Sequence, residues 1–268
     1  MRICMKCANV VNHRADLEFN EQDATVSSRC FDASRFRMHT NETIWSSAER
    51  VSAAGLRVGA RKDLQKILGI NHHPESILLD HGLRHIARPA DCIYYDFMHV
   101  FVSGGVANRE FFLFLERCLQ ERALSYESVF RQLANWIWPS WVEAPPYKVC
   151  NAKHCASSRS ARIFKCGASE MLSFYPVFRE IVRGIAPQQH EVLNLEIKSL
   201  LALFNVLDGF CSAMHGHGAR NLGTAVELWL ENFTQAYPDE APLPKHHFAL
   251  HLAEQIDRGK QFLTCFCF

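Results

Sequence analysis

From Leu193 the apolar residues recur at helical spacing. Leu193, Ile197, Leu200, Phe204 and Leu207 share one face, while Leu195, Leu201, Leu203 and Val206 occupy the other sides. A helix apolar all round belongs in the centre of a fold, so the pattern predicts a central helix from His190 to about Cys211. Leu222, Val226, Trp229 and Phe233 predict an amphipathic helix that ends before Pro238, and a last helix should run from Pro244 to Gly259.

Upstream the same reading gives further helices. Ser46-x-x-Glu49 fits a capping box, followed by Val51 and Leu56, which predicts a helix from Ser46 to about Leu56. Arg61 to Leu68 should form another, stopped by Gly69, and His72-His73-Pro74-Glu75 is a break. Cys92-Ile93-Tyr94-Tyr95 reads as a buried strand. Asn108 is expected to cap a helix over Arg109–Glu121, and Ser125 one that carries Val129, Leu133 and Trp136 until Pro139. Residues 139–165, with Pro145-Pro146 and Ser157-Ser158, read as a surface loop. Ser169 opens another helix, with Pro176 as a kink or boundary, and Cys265-Phe266-Cys267 suggests a terminal strand.

Residues 1–40 break the pattern. They lack helical periodicity and divide the chain into a cysteine-containing segment, 1–40, and a mostly helical region, 41–268. Composition places the 268 residues, 48% hydrophobic and 21% charged, among globular chains. Lys and Arg number 29 against 28 Asp and Glu, so only a local patch could attract nucleic acid. Apolar runs such as Leu200–Phe204 fall short of a bilayer span, and Met1–Lys6 lacks the apolar core of a signal peptide. The expectation is an intracellular protein with no membrane partner.

An odd number of cysteines, 11, in such a setting favours thiols or metal ligands over disulfides. Cys4-x-x-Cys7 has the spacing of half a tetrahedral zinc site, with Cys30, His13 or His39 as candidates to complete it. Cys150, His154, Cys155 and Cys166 form a less regular set. His247 and His251 stand at i, i+4 on one helical face, a spacing that can ligate zinc; packing of the last helix is the preferred reading. His72-His73 and His81-x-x-x-His85, near Asp80, read as solvated positions. Trp136, Trp138 and Trp141 read first as aromatic anchors beside a loop, with base stacking as the alternative.

Asp96-x-x-His99 places an acid and a histidine one helical turn apart. That pair can share a metal ion, or join as an acid and the group that orients it. The alternative is an aspartate that caps a helix beside a packed histidine.

Several motifs occur in a telling order: Cys4-x-x-Cys7-x-Asn9-Val10-Val11, Leu68-Gly69-Ile70-Asn71, Tyr95-Asp96-Phe97-Met98-His99, Phe164 to Leu172, Tyr175-Pro176, and Pro244-Lys245-His246-His247-Phe248-Ala249-Leu250-His251-Leu252. Together they resemble the later part of the catalytic region of a DDE-type transposase of the CACTA-like or a related group. The resemblance implies a ribonuclease H-like core, DNA as partner and a nuclear location. It also implies acids that hold Mg or Mn for attack on phosphodiesters, because hard cations prefer oxygen ligands. Asp96 would be the Mg or Mn ligand or the acid of the D-x-x-H signature with His99, and Asp80 is the alternative second acid. The family's first acid would precede Met1 and its last would follow the strand over Phe262–Phe268, so the expectation is an inactive fragment or degenerate copy. The expected fold is mainly α with a few short strands (α+β), a partial ribonuclease H-like core with a helical insertion. The alternative function is a non-catalytic, zinc-stabilised helical module that binds DNA or protein.

Overall fold

The computed structural model describes residues 4–11, 25–26, 29–140, 142, 146–189, 191–215 and 221–257. It divides into two compact units, Met1–Tyr94 and Tyr95–Phe268. The terminal strand, His13, Trp141 and Cys265-x-Cys267 lie outside the described residues.

In the first unit, Cys7 bridges Met38 in an antiparallel pairing. Asn9, fully buried, fastens this pairing: its amide nitrogen donates to the Arg35 carbonyl at 3.2 Å, and its side-chain oxygen accepts from Arg37 N at 2.6 Å. Strands β1 (Val10–Val11) and β2 (Thr25–Val26) form a parallel pair. They are the strands among the described residues, so the sheet of a ribonuclease H-like core is not present among them, while the mainly helical character is.

Helix α1 (Asn41–Ser52) begins before the expected Ser46, because Thr40 and Thr43 cap it reciprocally, at 3.3 Å from Thr43 N and 2.9 Å from Thr40 N. Helix α2 (Val58–Leu68) ends where expected, with Gly69 in the left-handed region at φ 65°. Ile44 and Ala48 of α1 pack on Ile70, and Leu78, Leu79, Ala90 and Ile93 close around them. The expected strand at Cys92–Tyr95 is not formed. Pro89, with its φ preset for a first helical position, instead opens a single turn, α3 (Pro89–Cys92), whose Ala90 N donates to the Asn41 side chain at 2.9 Å.

The second unit is a helical assembly around phenylalanine. A π-helical turn (Met98–Val102) leads into α4 (Val106–Gln120), α5 (Tyr126–Asn135), α6 (Ala152–Ala161), α7 (Ala168–Gln189), α8 (Asn194–Met214), α9 (Leu222–Ala236) and α10 (Pro244–Asp257). Phe111 of α4 lies 5.3 to 6.2 Å, ring centre to ring centre, from Phe164, Phe174, Phe178 and Phe204. Such offset and edge contacts add to the burial of large rings and bind α4, α7 and α8 together. Helix α8 has the length and apolarity of a membrane span, and in this unit it packs on α4, α7 and α9.

Two expectations are corrected here, and for Pro176 a helix boundary is excluded. The segment read as a loop over 139–165 holds a 3₁₀ turn (Pro146–Cys150) and α6. Only Cys155 and Ser158 of α6 are buried, so no apolar stripe announces it; the Asn151 cap on His154 N, at 3.0 Å, starts it instead. Helix α7 continues through Pro176, held across the missing N–H by the buried Phe174, Tyr175, Val177 and Phe178. Asn108 does not cap α4 from outside but sits in its first turn, accepting from Gly105 N at 3.1 Å and donating to the Phe164 carbonyl at 3.0 Å.

Candidate metal centre

In the first unit the Cys4-Met5-Lys6-Cys7 turn buries both thiols. The Cys7 backbone N–H donates to Cys4 Sγ at 3.2 Å, an interaction that ties the first sulfur to the end of the turn. The neighbouring pairing locks the turn from both ends: Ala8 N donates to the Arg37 carbonyl at 2.8 Å and His39 N to the Lys6 carbonyl at 2.7 Å. Backbone hydrogen bonds thus fix a turn that carries two buried thiols.

In the second unit α10 presents His247 and His251 on one face, both buried, with their Nε2 atoms 3.0 Å apart. Two imidazole nitrogens bound to one tetrahedral zinc at about 2.05 Å would stand about 3.3 Å apart, so the pair is close to ligating separation. Its surroundings orient the rings. Tyr95 stacks on His251 at 5.7 Å and on Phe248 at 4.4 Å, and Gln255 holds the Tyr95 backbone from both sides, at 2.8 and 3.1 Å. Glu254 lies 3.6 Å from His251 Nδ1, on the ring side away from Nε2, where a carboxylate fixes the tautomer of a ligating histidine.

Each unit thus holds a buried pair of metal-ligating type, Cys4 and Cys7 in the first and His247 and His251 in the second. Neither pair alone supplies the four ligands of a structural zinc site.

The completing ligands expected for Cys4 and Cys7 are placed elsewhere. Cys30 is half-buried, and the His39 ring engages Thr43 Oγ1 at 2.7 Å. The histidines of α10, read from sequence as packing, are buried in their own unit, hydrogen-bonded to each other and stacked through His251 on Tyr95.

Asp96 and His99 are brought together: His99 Nδ1 hydrogen-bonds Asp96 Oδ2, while Oδ1 accepts from Met98 N at 3.0 Å. Both carboxylate oxygens therefore hold the π-helical turn that follows. Asp80, in the first unit, caps the 3₁₀ turn His81–Leu83 through Gly82 N at 2.8 Å. Among the described residues neither belongs to a cluster of three or more metal-ligating groups. Trp138 Nε1 donates to the Leu133 carbonyl at 3.1 Å, and Trp136 stays partly exposed.

Compared with protein-family models, curated proteins and solved structures, the chain matches none.

Proposed function

We propose that this chain is a zinc-stabilised helical module, with Cys4 and Cys7 as two ligands of one structural ion. The single observation behind the reading is the pair of buried thiols that the Cys4–Cys7 turn holds together. A zinc held by protein donors alone is structural and leaves no position for water or substrate. Bound, it would fix the Cys4–Cys7 turn and the pairing beside it. In this reading the module acts through its surface, on DNA as the resemblance suggests, and performs no chemistry at the metal.

The test is metal content. Mass spectrometry of the intact chain, purified without chelator, should find one zinc per molecule, lost in Cys7→Ser. Chelation should lower the melting temperature by about 10 °C or more. No zinc in the parent chain, or zinc retained in full by Cys7→Ser, would end the proposal.

One observation keeps a second reading in play. Asp96 and His99, the two residues of the D-x-x-H signature that the resemblance implies, are hydrogen-bonded to each other. Under this reading the chain is the later part of a DDE-type transposase, inactive without further acids. Supplying Mn²⁺ and supercoiled DNA should give no nicking above an Asp96→Ala control, whereas a difference between the two would assign Asp96 a role at a catalytic metal.

A further inference from the structure

The second unit carries an apolar tip on the turn after α5, where Trp136 is 40% exposed and Ile137 is 93% exposed. The Trp138 indole donates to the Leu133 carbonyl at 3.1 Å and ties this turn back to its helix, so the tip stands on a fixed backbone. An isoleucine so exposed contributes no burial to the core.

Positive charge gathers at the same end of the α5–α6 pair. The Arg159 guanidinium, in the last turn of α6, lies 5.2 Å from the ring centre of Tyr126, the first residue of α5, and α5 also packs on the 3₁₀ turn that precedes α6. The end of α5 is thus brought to the start of α6, where Lys148 and Lys153 are exposed. From Ser128 to Ser169 the chain has six Lys and Arg against one acid, Glu143. Arg131, Arg159 and Arg162 have carboxylate partners, whereas Lys148 and Lys153 have no ion-pair partner among the described residues. Lys153 stands in the first turn of α6, which has no acid to offset it. A cation at the positive end of a helix dipole is unfavourable, and a bound anion would relieve it.

We propose that this end of the second unit binds single-stranded nucleic acid, with a base stacked on Trp136 and flanking phosphates on Lys148 and Lys153. The inference gives a surface to the nucleic-acid part of the reading above and rests on that part. A single strand matches both halves of the surface, because its bases are free to stack on an exposed aromatic ring while its phosphates need cations. In a duplex the bases are held inside the helix, and the tip would meet only backbone.

Fluorescence anisotropy of the full chain with labelled oligothymidylate and oligouridylate of about 12 nucleotides, against a duplex of equal length, tests the site. The single strands should bind at least about 5-fold more tightly than the duplex. Trp136→Ala should weaken them about 10-fold with the circular dichroism spectrum unchanged, and Trp136→Phe, which keeps a stacking face, should weaken them less. Lys148→Ala combined with Lys153→Ala should flatten the slope of log affinity against log salt by about 1.4. Tighter binding of thymidylate supports DNA as the source, and tighter binding of uridylate supports RNA. A duplex bound as tightly as the single strands, or a Trp136→Ala variant that binds like the parent, overturns this inference and leaves the reading of a DNA-binding module standing. No binding of any oligonucleotide overturns both, as does capture on phosphatidylserine vesicles alone, which would assign the tip to a membrane.

Discussion

Trp229 donates its indole N–H to the Glu110 carboxylate at 2.7 Å, in the interior of the second unit. Ser199 donates to the other oxygen, also at 2.7 Å, so one buried acid joins α4 to α8 and α9. The same indole meets a second buried titratable group, the His246 ring, stacked on it at 5.7 Å. Burial raises Glu110 from 4.5 to about 7 and lowers His246 from 6.5 to about 4. In both cases the uncharged form is the one the core accepts.

These opposite shifts predict an unusual pH response. Glu110 contributes stability that is complete below its unfolded value and is lost as pH rises from about 4.5 to 7, whereas the His246 contribution is complete above 6.5 and is lost as pH falls toward 4. Each is about 3 kcal/mol, so between about pH 4.5 and 6.5 they cancel. In Glu110→Gln, where the new amide can donate to Ser199 Oγ and its oxygen still accept from Trp229, stability should fall on acidification across that window. In His246→Phe it should instead rise. Urea midpoints at half-unit pH steps check this, and parallel profiles for the parent and both variants would show that neither group carries the assigned shift.

Gly105 supports a prediction about backbone contact. A Cβ at this position would lie 2.3 Å from the Phe101 carbonyl carbon and 2.4 Å from the Val100 carbonyl oxygen. Backbone on both sides cannot yield as a flexible side chain can. Gly105→Ala should therefore cost more than about 3 kcal/mol, by separating the π-helical turn from α4. Gly104→Ala, whose Cβ meets nothing within 4 Å, should cost less despite its φ of 58°, for which about 1–2 kcal/mol is the usual penalty. Thermal melts of the two variants would reverse in order if the close approach at Gly105 were not a constraint.

Much of this architecture could be read from the residues, and the exceptions have physical causes. The apolar periodicity around Leu200 and Phe204 located α8, the Ser125 cap α5, and Gly69 the end of α2, because in each case local chemistry and burial agree. Helix α6 stayed hidden, since its buried residues are Cys155 and Ser158 and its stability comes from the Asn151 cap and neighbouring elements. The Cys92–Tyr95 run is too short for periodicity to separate strand from turn, and Pro89 decided the matter from outside the run. At the candidate centre, spacing singled out Cys4-x-x-Cys7 as a half-site. Spacing could not show that His39, offered to complete it, would engage the Thr43 hydroxyl at the start of α1, because a distance along the sequence carries no information about a ring's hydrogen-bond partner.

Buried thiols lead to a chemical prediction. Desolvation pushes Cys118 and Cys166 up to about 12, and Cys150 still higher, with Cys155 raised as well. The thiolate is the reactive species, so these positions should alkylate slowly at pH 8. Cys92 is exposed and should react at least about 100-fold faster than Cys118 and Cys150. Peptide mapping after timed iodoacetamide treatment, with and without urea, measures the difference. Rapid labelling of Cys118 in the native chain would contradict its burial on the inner side of α4.

The last prediction concerns Asp96, whose two oxygens serve Met98 N and His99 Nδ1. If its role is to cap the π-helical turn, the geometry of the oxygens matters more than the charge. Asp96→Asn keeps one acceptor for Met98 N and should lose no more than about 0.5 kcal/mol, whereas Asp96→Ala leaves that N–H without its cap and should lose about 1 kcal/mol. His99→Gln, at a half-exposed ring, should be nearly neutral by the same reasoning. A role as a divalent-cation ligand gives the opposite pattern, because an amide is a poor substitute for a carboxylate on Mg²⁺ or Mn²⁺. Melting temperatures of the three variants, with and without millimolar Mn²⁺, separate the two. Stabilisation of the parent by Mn²⁺ that disappears in Asp96→Asn would make this carboxylate a ligand first and a cap second.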